Sequence, residues 1–136
     1  MNSPTPFLDT NVLVYAFVES SQKAPKARQL LSQGGALGVQ ILNEFAAVMR
    51  RKLRLDVGAV RELIDEILIH CPHPRPMTLD THRMGMRLCE RYGFSIYDGA
   101  MIASALEAGC RVLYTEDLQH GQVIEGLRVE NPFLGL

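Results

Sequence analysis

Short apolar runs alternate with long amphipathic ones along this chain, and the alternation limits the folds open to it. Phe7-Leu8, Ala36-Leu37-Gly38-Val39, Arg111-Val112-Leu113-Tyr114 and Leu127-Arg128-Val129 read as brief buried strands. The stretches between them carry helical signals. A short helix is expected from Asn11 to Phe17, and Ser20 or Ser21 offers an N-cap for another running to about Leu31, ended by Gly34-Gly35. From about Gln40 to Leu53, Ile41, Phe45, Val48 and Met49 fall on one helical face. Asp56 precedes Val57, Val60, Ile64, Ile67 and Leu68, again at helical spacing. Pro72, Pro74 and Pro76 forbid a helix in the next segment, and Met77-Thr78 reads as extended. Asp80 or Thr81 opens a helix that Gly93 ends. Tyr97 to Ala108 follows, rich in Gly and Ala and therefore suited to close packing at the centre of the fold. Gly121 to Gly126 reads as a turn.

Strands separated by helices pair in parallel, because a hairpin needs only a tight turn whereas a parallel crossover needs a helix. The expectation is an α/β fold of three layers, α/β/α, with a central parallel sheet of short strands. A length of 136 residues suits one domain spanning 1–136, with Met1 to Pro6 as an unstructured lead-in. No apolar run is long enough to span a bilayer, and the N-terminus lacks a basic region followed by an apolar stretch. A soluble, cytoplasmic protein with no membrane partner is expected. Cys71, Cys89 and Cys110 are odd in number and widely spaced, which disfavours a disulfide framework and suits small buried hydrophobes. A formal net charge of -1 does not announce nucleic acid, although clustering several acids in one pocket would leave the rest of the surface positive.

The acids are where chemistry gathers. Asp9 follows the first strand, and Glu44 lies early on the helix after the second. Asp98 opens the small-residue helix, and Asp117 lies just beyond the Arg111–Tyr114 strand. In a parallel sheet, strand ends and the helix starts after them share one edge, where ligands bind. Three of the four acids have a plain alternative reading: Asp9, or Asn11 beside it, as a helix N-cap, Asp98 as a first-turn acid, Asp117 as a turn residue. Together they point elsewhere. Two carboxylates about 4 Å apart repel by about 4 kcal/mol at an effective dielectric near 20. A cluster of them therefore calls for protonation or a divalent cation, and oxygen-only ligands suit Mg²⁺ or Mn²⁺ rather than Zn²⁺. Such an ion suits phosphodiester hydrolysis.

Four stretches carry a resemblance: Leu8-Asp9-Thr10-Asn11-Val12-Leu13; Asn43-Glu44-Phe45; Tyr97-Asp98-Gly99-Ala100-Met101-Ile102-Ala103-Ser104-Ala105; and Tyr114-Thr115-Glu116-Asp117-Leu118-Gln119-His120-Gly121. In this order and spacing the chain resembles the PIN-domain ribonucleases, in particular the toxin subunits of VapBC-type toxin–antitoxin pairs. The resemblance implies a Mg²⁺- or Mn²⁺-dependent endoribonuclease. Asp9, Glu44, Asp98 and Asp117 match the family's acidic positions, with Asp9 and Asp98 as direct metal ligands and Glu44 and Asp117 ligating directly or through water. Asn11 and Thr115 match supporting polar residues. The resemblance also implies a homodimer and a cognate antitoxin that blocks the acidic cleft with a basic side chain. Some relatives carry a further acid after the Asp117 position, where this chain has Gln119 and His120. Glu116 is an additional carboxylate that strand alternation points away from Asp117.

Arg50, Arg51 and Lys52, with Arg54, crowd a helix end and either guide an RNA backbone or form a solvated cationic cap. His70, Cys71 and His73 lack a fourth zinc ligand and read as a loop. His120 is either a phosphate contact or a surface residue. Tyr92, Phe94 and Tyr97 read as core or interface residues before base-stacking platforms. Two other functions fit the same fold class: a PIN-like binding module without catalysis, and phosphotransfer through an aspartyl-phosphate at Asp9. The second is disfavoured by Asn11, which stands where phosphatases of that kind use a second Asp.

Overall fold

The computed structural model describes residues 5–136; the first four residues of the expected lead-in lie outside the described residues. In chain order the elements are β1 (Phe7–Leu8), α1 (Thr10–Ala16), α2 (Ala24–Ser32), α3 (Val39–Lys52), α4 (Val57–His70), α5 (Leu79–Tyr92), α6 (Ile96–Glu107), β2 (Val112–Tyr114), β3 (Val123–Ile124) and β4 (Leu127–Glu130). The sheet has the order β1-β2-β4-β3, with β1, β2 and β4 parallel and β3 antiparallel to β4. Phe7 pairs with Leu113 and Leu8 with Tyr114. Phe7 and Leu8 point to opposite faces because side chains alternate along a strand, yet both are fully buried. Both faces of the sheet are therefore covered at β1. On β4, Leu127 and Val129 are buried while Arg128 is exposed, so only one face is covered there. The fold is mixed α/β with a mostly parallel sheet, as the alternation predicts.

Several local differences have physical causes. Ala36–Val39 does not form a full strand. Ala36 bridges Phe7, Gly38 bridges Arg75, and α3 begins immediately at Val39 with Gly38 as its N-cap, which leaves no length for a ladder. The extended partner of this stretch is Arg75 among the prolines rather than Met77-Thr78; Leu37 O accepts from Arg75 N at 2.8 Å. Thr78, not Asp80 or Thr81, caps α5, in a reciprocal capping box with Thr81. Lys23 rather than a serine precedes α2, whose first turn holds Pro25; Ser21 Oγ instead accepts from Lys23 N at 3.1 Å. The predicted turn at Gly121–Gly126 contains β3, which Glu125 (φ 51°) and Gly126 (φ 88°) turn back into β4. Two successive residues with positive φ are what a two-residue hairpin of this hand demands.

α5 and α6 pack against each other through glycine. A Cβ on Gly99 would collide with Cys89 Sγ and lie 2.6 Å from the Gly85 carbonyl oxygen, and one on Gly85 would lie 3.0 Å from Ala100 Cα. This contact holds the first turn of α6, and with it Asp98, against the body of the protein. Cys71 and Cys110 are buried and Cys89 is half-buried; burial pushes the Cys110 thiol up to about 11. Cys71 and Cys110 serve as hydrophobes, whereas the Cys89 thiol donates to Ser95 O at 3.2 Å.

Candidate active site

Asp9, Glu44, Asp98 and Asp117 all line one cavity of about 500 Å³. The topology brings them there. Parallel β1 and β2 end side by side, with Asp9 N donating to Tyr114 O at 3.1 Å, so Asp9 and the Thr115–Asp117 stretch emerge together. Glu44 lies one turn into α3. Asp98 lies in the first turn of α6, its backbone N–H donating to the N-cap hydroxyl of Ser95 at 3.2 Å.

Asp9 anchors the cluster. It is both the N-cap of α1 and a member of the acid group: Oδ1 accepts from Thr10 N at 2.6 Å, while Oδ2 accepts from the Thr115 hydroxyl at 2.7 Å. Asn11 lies within the helix rather than capping it. Its Nδ2 donates to Asp9 Oδ2, Thr115 Oγ1 and Asp117 Oδ2 at 3.3, 3.3 and 3.2 Å, linking the strand-end acids. Thr115 Oγ1 also accepts from Asp117 N at 3.0 Å. Thr10 Oγ1 donates to Glu44 Oε2 at 2.9 Å, tying α1 to α3. Asn11 and Thr115 thus sit behind the carboxylates and orient them.

Burial raises the Asp9 carboxyl from 3.8 to about 6, and the charges of Asp117 and Glu44 add to that rise against the hydrogen bonds from Thr115 and Thr10. A desolvated carboxylate that is repelled by its neighbours is a site that gains from a cation. The donor set is all oxygen, and Asn11 Oδ1 is buried without a protein partner beside it. These residues fit a hard divalent ion. No three His, Cys, Asp or Glu side chains among the described residues converge into a ready-made metal cage, so the carboxylates would close on an ion rather than wait in its final geometry. His70, Cys71 and His73 likewise form no such group.

The cationic helix end divides. Arg51 and Lys52 line the cavity, seven and eight residues after Glu44 on the same face of α3, and Arg50 does not. Tyr97 is neither core nor packed: it is 69% exposed at the cavity wall, while Tyr92 and Phe94 stack on each other at 5.7 Å. His120 is exposed and its Nδ1 accepts from Asn131 N at 3.0 Å, a loop contact. Glu116 also lines the cavity, but Tyr15 and Lys23 hold both of its oxygens. Burial alone would raise its carboxyl; the Lys23 and Tyr15 hydrogen bonds outweigh that and hold it below the ordinary value. Sequence reasoning did not single out Tyr15 or Lys23. Tyr15 was findable, four residues after Asn11 on one face of α1. Lys23 was not, since its partner lies 93 residues away.

Comparison with known proteins agrees with this geometry. Among solved structures, a toxin–antitoxin complex from Klebsiella pneumoniae superposes with a TM-score of 0.71 at 16% identity, covering 95% of this chain and 98% of that one. VapC20 of Mycobacterium tuberculosis, described as a Sarcin-Ricin loop cleaving toxin, gives 0.67 at 16% identity over 83% of this chain and 92% of that one. VapBC2 of Rickettsia felis, bound to a DNA fragment from its promoter, gives 0.66 at 20% identity over 92% and 96%. No curated protein sequence matches the chain closely enough to add to this. The similarity at these identities is one of fold, but residues 7–125, which hold all four acids and the strands that present them, also match the model of the PIN domain, and the chain belongs to that family.

Proposed function

We propose that the protein is a Mg²⁺- or Mn²⁺-dependent endoribonuclease that hydrolyses RNA phosphodiester bonds as the toxin of a toxin–antitoxin pair. One observation carries this reading: Asp9, Glu44, Asp98 and Asp117 share one cavity, with Asp9 desolvated and repelled by two of the others. The solved structures of similar fold include VapC20, described as a Sarcin-Ricin loop cleaving toxin, a toxin–antitoxin complex and VapBC2, which supports the substrate class and the antitoxin partner.

When bound, the divalent ion supplies Lewis acidity to the phosphoryl oxygen and a more acidic attacking water. The chain's own residues do the rest. Asp9 and Asp98 would hold the ion directly, and Glu44 and Asp117 would hold it directly or through water. Asn11 and Thr115 keep Asp9 and Asp117 turned toward each other. Arg51 and Lys52 receive the RNA backbone beside the carboxylates. A homodimer and an antitoxin bearing an Arg or Lys for the acidic cavity complete the reading.

The test is cleavage of cellular RNA by purified protein with Mg²⁺ or Mn²⁺. Activity stops with EDTA and is lost in Asp9→Asn and Asp98→Asn. Metal-dependent cleavage that survives in both variants would overturn the site. Intact partner binding with no cleavage of any RNA would instead favour a non-catalytic module.

A further inference from the structure

Five carboxylates line the cavity, and the fifth is held differently from the rest. Glu116 lies between Thr115 and Asp117 on the stretch that leaves β2. Its Oε1 accepts from the Tyr15 hydroxyl at 2.6 Å and its Oε2 from Lys23 Nζ at 2.7 Å. Lys23 Nζ also donates to the Tyr15 hydroxyl at 3.3 Å. It lies 4.7 Å from the centre of the Tyr15 ring and 5.7 Å from that of Phe133, and the two rings meet edge to face at 5.2 Å. Segments from α1, the start of α2, the strand end and the C-terminal region thus converge on one side chain.

The position of Lys23 has no explanation in its own helix. It is the N-cap of α2, where unpaired backbone N–H groups already place positive charge, and it makes no capping bond with its side chain. A lone exposed ion pair would contribute little. This one is partly buried, has a hydroxyl as third member and is backed by two rings. Its consequence falls on Glu116, whose charge is matched and whose oxygens are both engaged beside an acid cluster. Asp117 is the next residue. Its backbone N–H is held by Thr115 Oγ1 at 3.0 Å and its carboxylate meets Asn11 Nδ2 at 3.2 Å.

Resting on the nuclease reading above, we propose that Tyr15 and Lys23 withdraw Glu116 from the cation site and make it the anchor that aims Asp117 into the cavity. Glu116 is then a positioning residue, not a ligand, although it stands among the ligands in sequence and in space. With residue 115 held by Asp9 and residue 116 held by Lys23 and Tyr15, the backbone at 117 has little freedom to turn its carboxylate away.

The experiment pairs Mn²⁺ binding to metal-free protein, followed by electron paramagnetic resonance of free Mn²⁺, with steady-state cleavage of an RNA substrate. Glu116→Gln weakens Mn²⁺ binding by no more than about threefold, the part that passes through a loosened Asp117, whereas Asp98→Asn weakens it by about tenfold or more. Lys23→Met and Glu116→Gln each lower kcat by about tenfold at unchanged KM, the double variant is no worse than either single one, and Lys23→Arg restores the rate. Thermal unfolding shows that each variant is folded. Loss of Mn²⁺ affinity in Glu116→Gln equal to that in Asp98→Asn makes Glu116 a ligand and overturns the proposal. Wild-type kcat in Lys23→Met and Glu116→Gln removes the aiming role and overturns it equally. If the wild-type protein cleaves no RNA, the nuclease reading fails by itself, while the Mn²⁺ comparison still decides whether Glu116 belongs to the cation site.

Discussion

Asp9 caps α1 through one oxygen and joins the acid cluster through the other, so its two readings in the sequence are both true of the folded chain. That double duty has a stability cost with a definite sign. The folded carboxyl titrates at about 6, above its ordinary 3.8, so the folded state binds the proton more tightly than the unfolded chain does. The stability that Asp9 contributes is greatest below 3.8, falls as the pH rises toward 6, and stays lower above it. The gap corresponds to about 3 kcal/mol at most. Asp9→Asn removes the charge while keeping an oxygen for the cap. In EDTA at pH 8 it should be more stable than wild type by about 1–3 kcal/mol in urea unfolding, with the difference closing near pH 4. A wild type that is equally stable at pH 8 would contradict the desolvation account. The same titration competes with a cation. Mn²⁺ affinity measured by calorimetry should fall about tenfold per pH unit below 6, because the ligand must lose its proton to bind. A pH-independent affinity would place the ion away from Asp9. At this scale the four acids were legible because each follows a strand or opens a helix. The Lys23–Glu116 pair was not, because nothing local in either segment marks a contact made only by the fold.

Among the elements, α5 and α6 show what small residues were doing in a helix that reads as featureless. Gly85 and Gly99 face each other, and neither has room for a methyl group. Gly99 directly follows Asp98, so crowding here shifts a site residue as well as the packing. Gly99→Ala should destabilise by about 1–3 kcal/mol despite the better helix propensity of Ala, and should lower cleavage further than its stability loss explains. Thr78→Ala, which breaks the capping box of α5 away from the cavity, is the control: about 1 kcal/mol lost, with activity per folded molecule unchanged. Equal effects of the two on activity would separate the α5–α6 contact from the site. Helix existence was readable from periodicity throughout. Several element boundaries were not, and two of them show why. At Ala36–Val39 an extended run and a helix start compete for the same residues, and the helix takes Val39. At Gly121–Gly126 a Glu-Gly corner in place of Asn-Gly or Asp-Gly hid a hairpin.

For the molecule as a whole, a net charge of -1 conceals an uneven surface. Five carboxylates face the cavity, and of the cationic cluster at the end of α3 only Arg51 and Lys52 reach it. On the proposed nuclease reading, an RNA backbone drawn toward a bare acidic cavity would be repelled, so these two cations and a divalent ion would have to supply the attraction. Arg50, one residue earlier, turns away from the cavity and offers an internal control for charge without position. Binding can be measured without cleavage by using Asp9→Asn as background and titrating a labelled single-stranded RNA across salt concentrations. Each phosphate contact with single-stranded nucleic acid contributes about 0.7 to the slope of log affinity against log salt. Arg51→Ala and Lys52→Ala should each reduce that slope by about 0.7, whereas Arg50→Ala leaves it within error. If all three lower it equally, the cluster acts only as a diffuse cationic patch, and the backbone path past Glu44 along α3 is wrong.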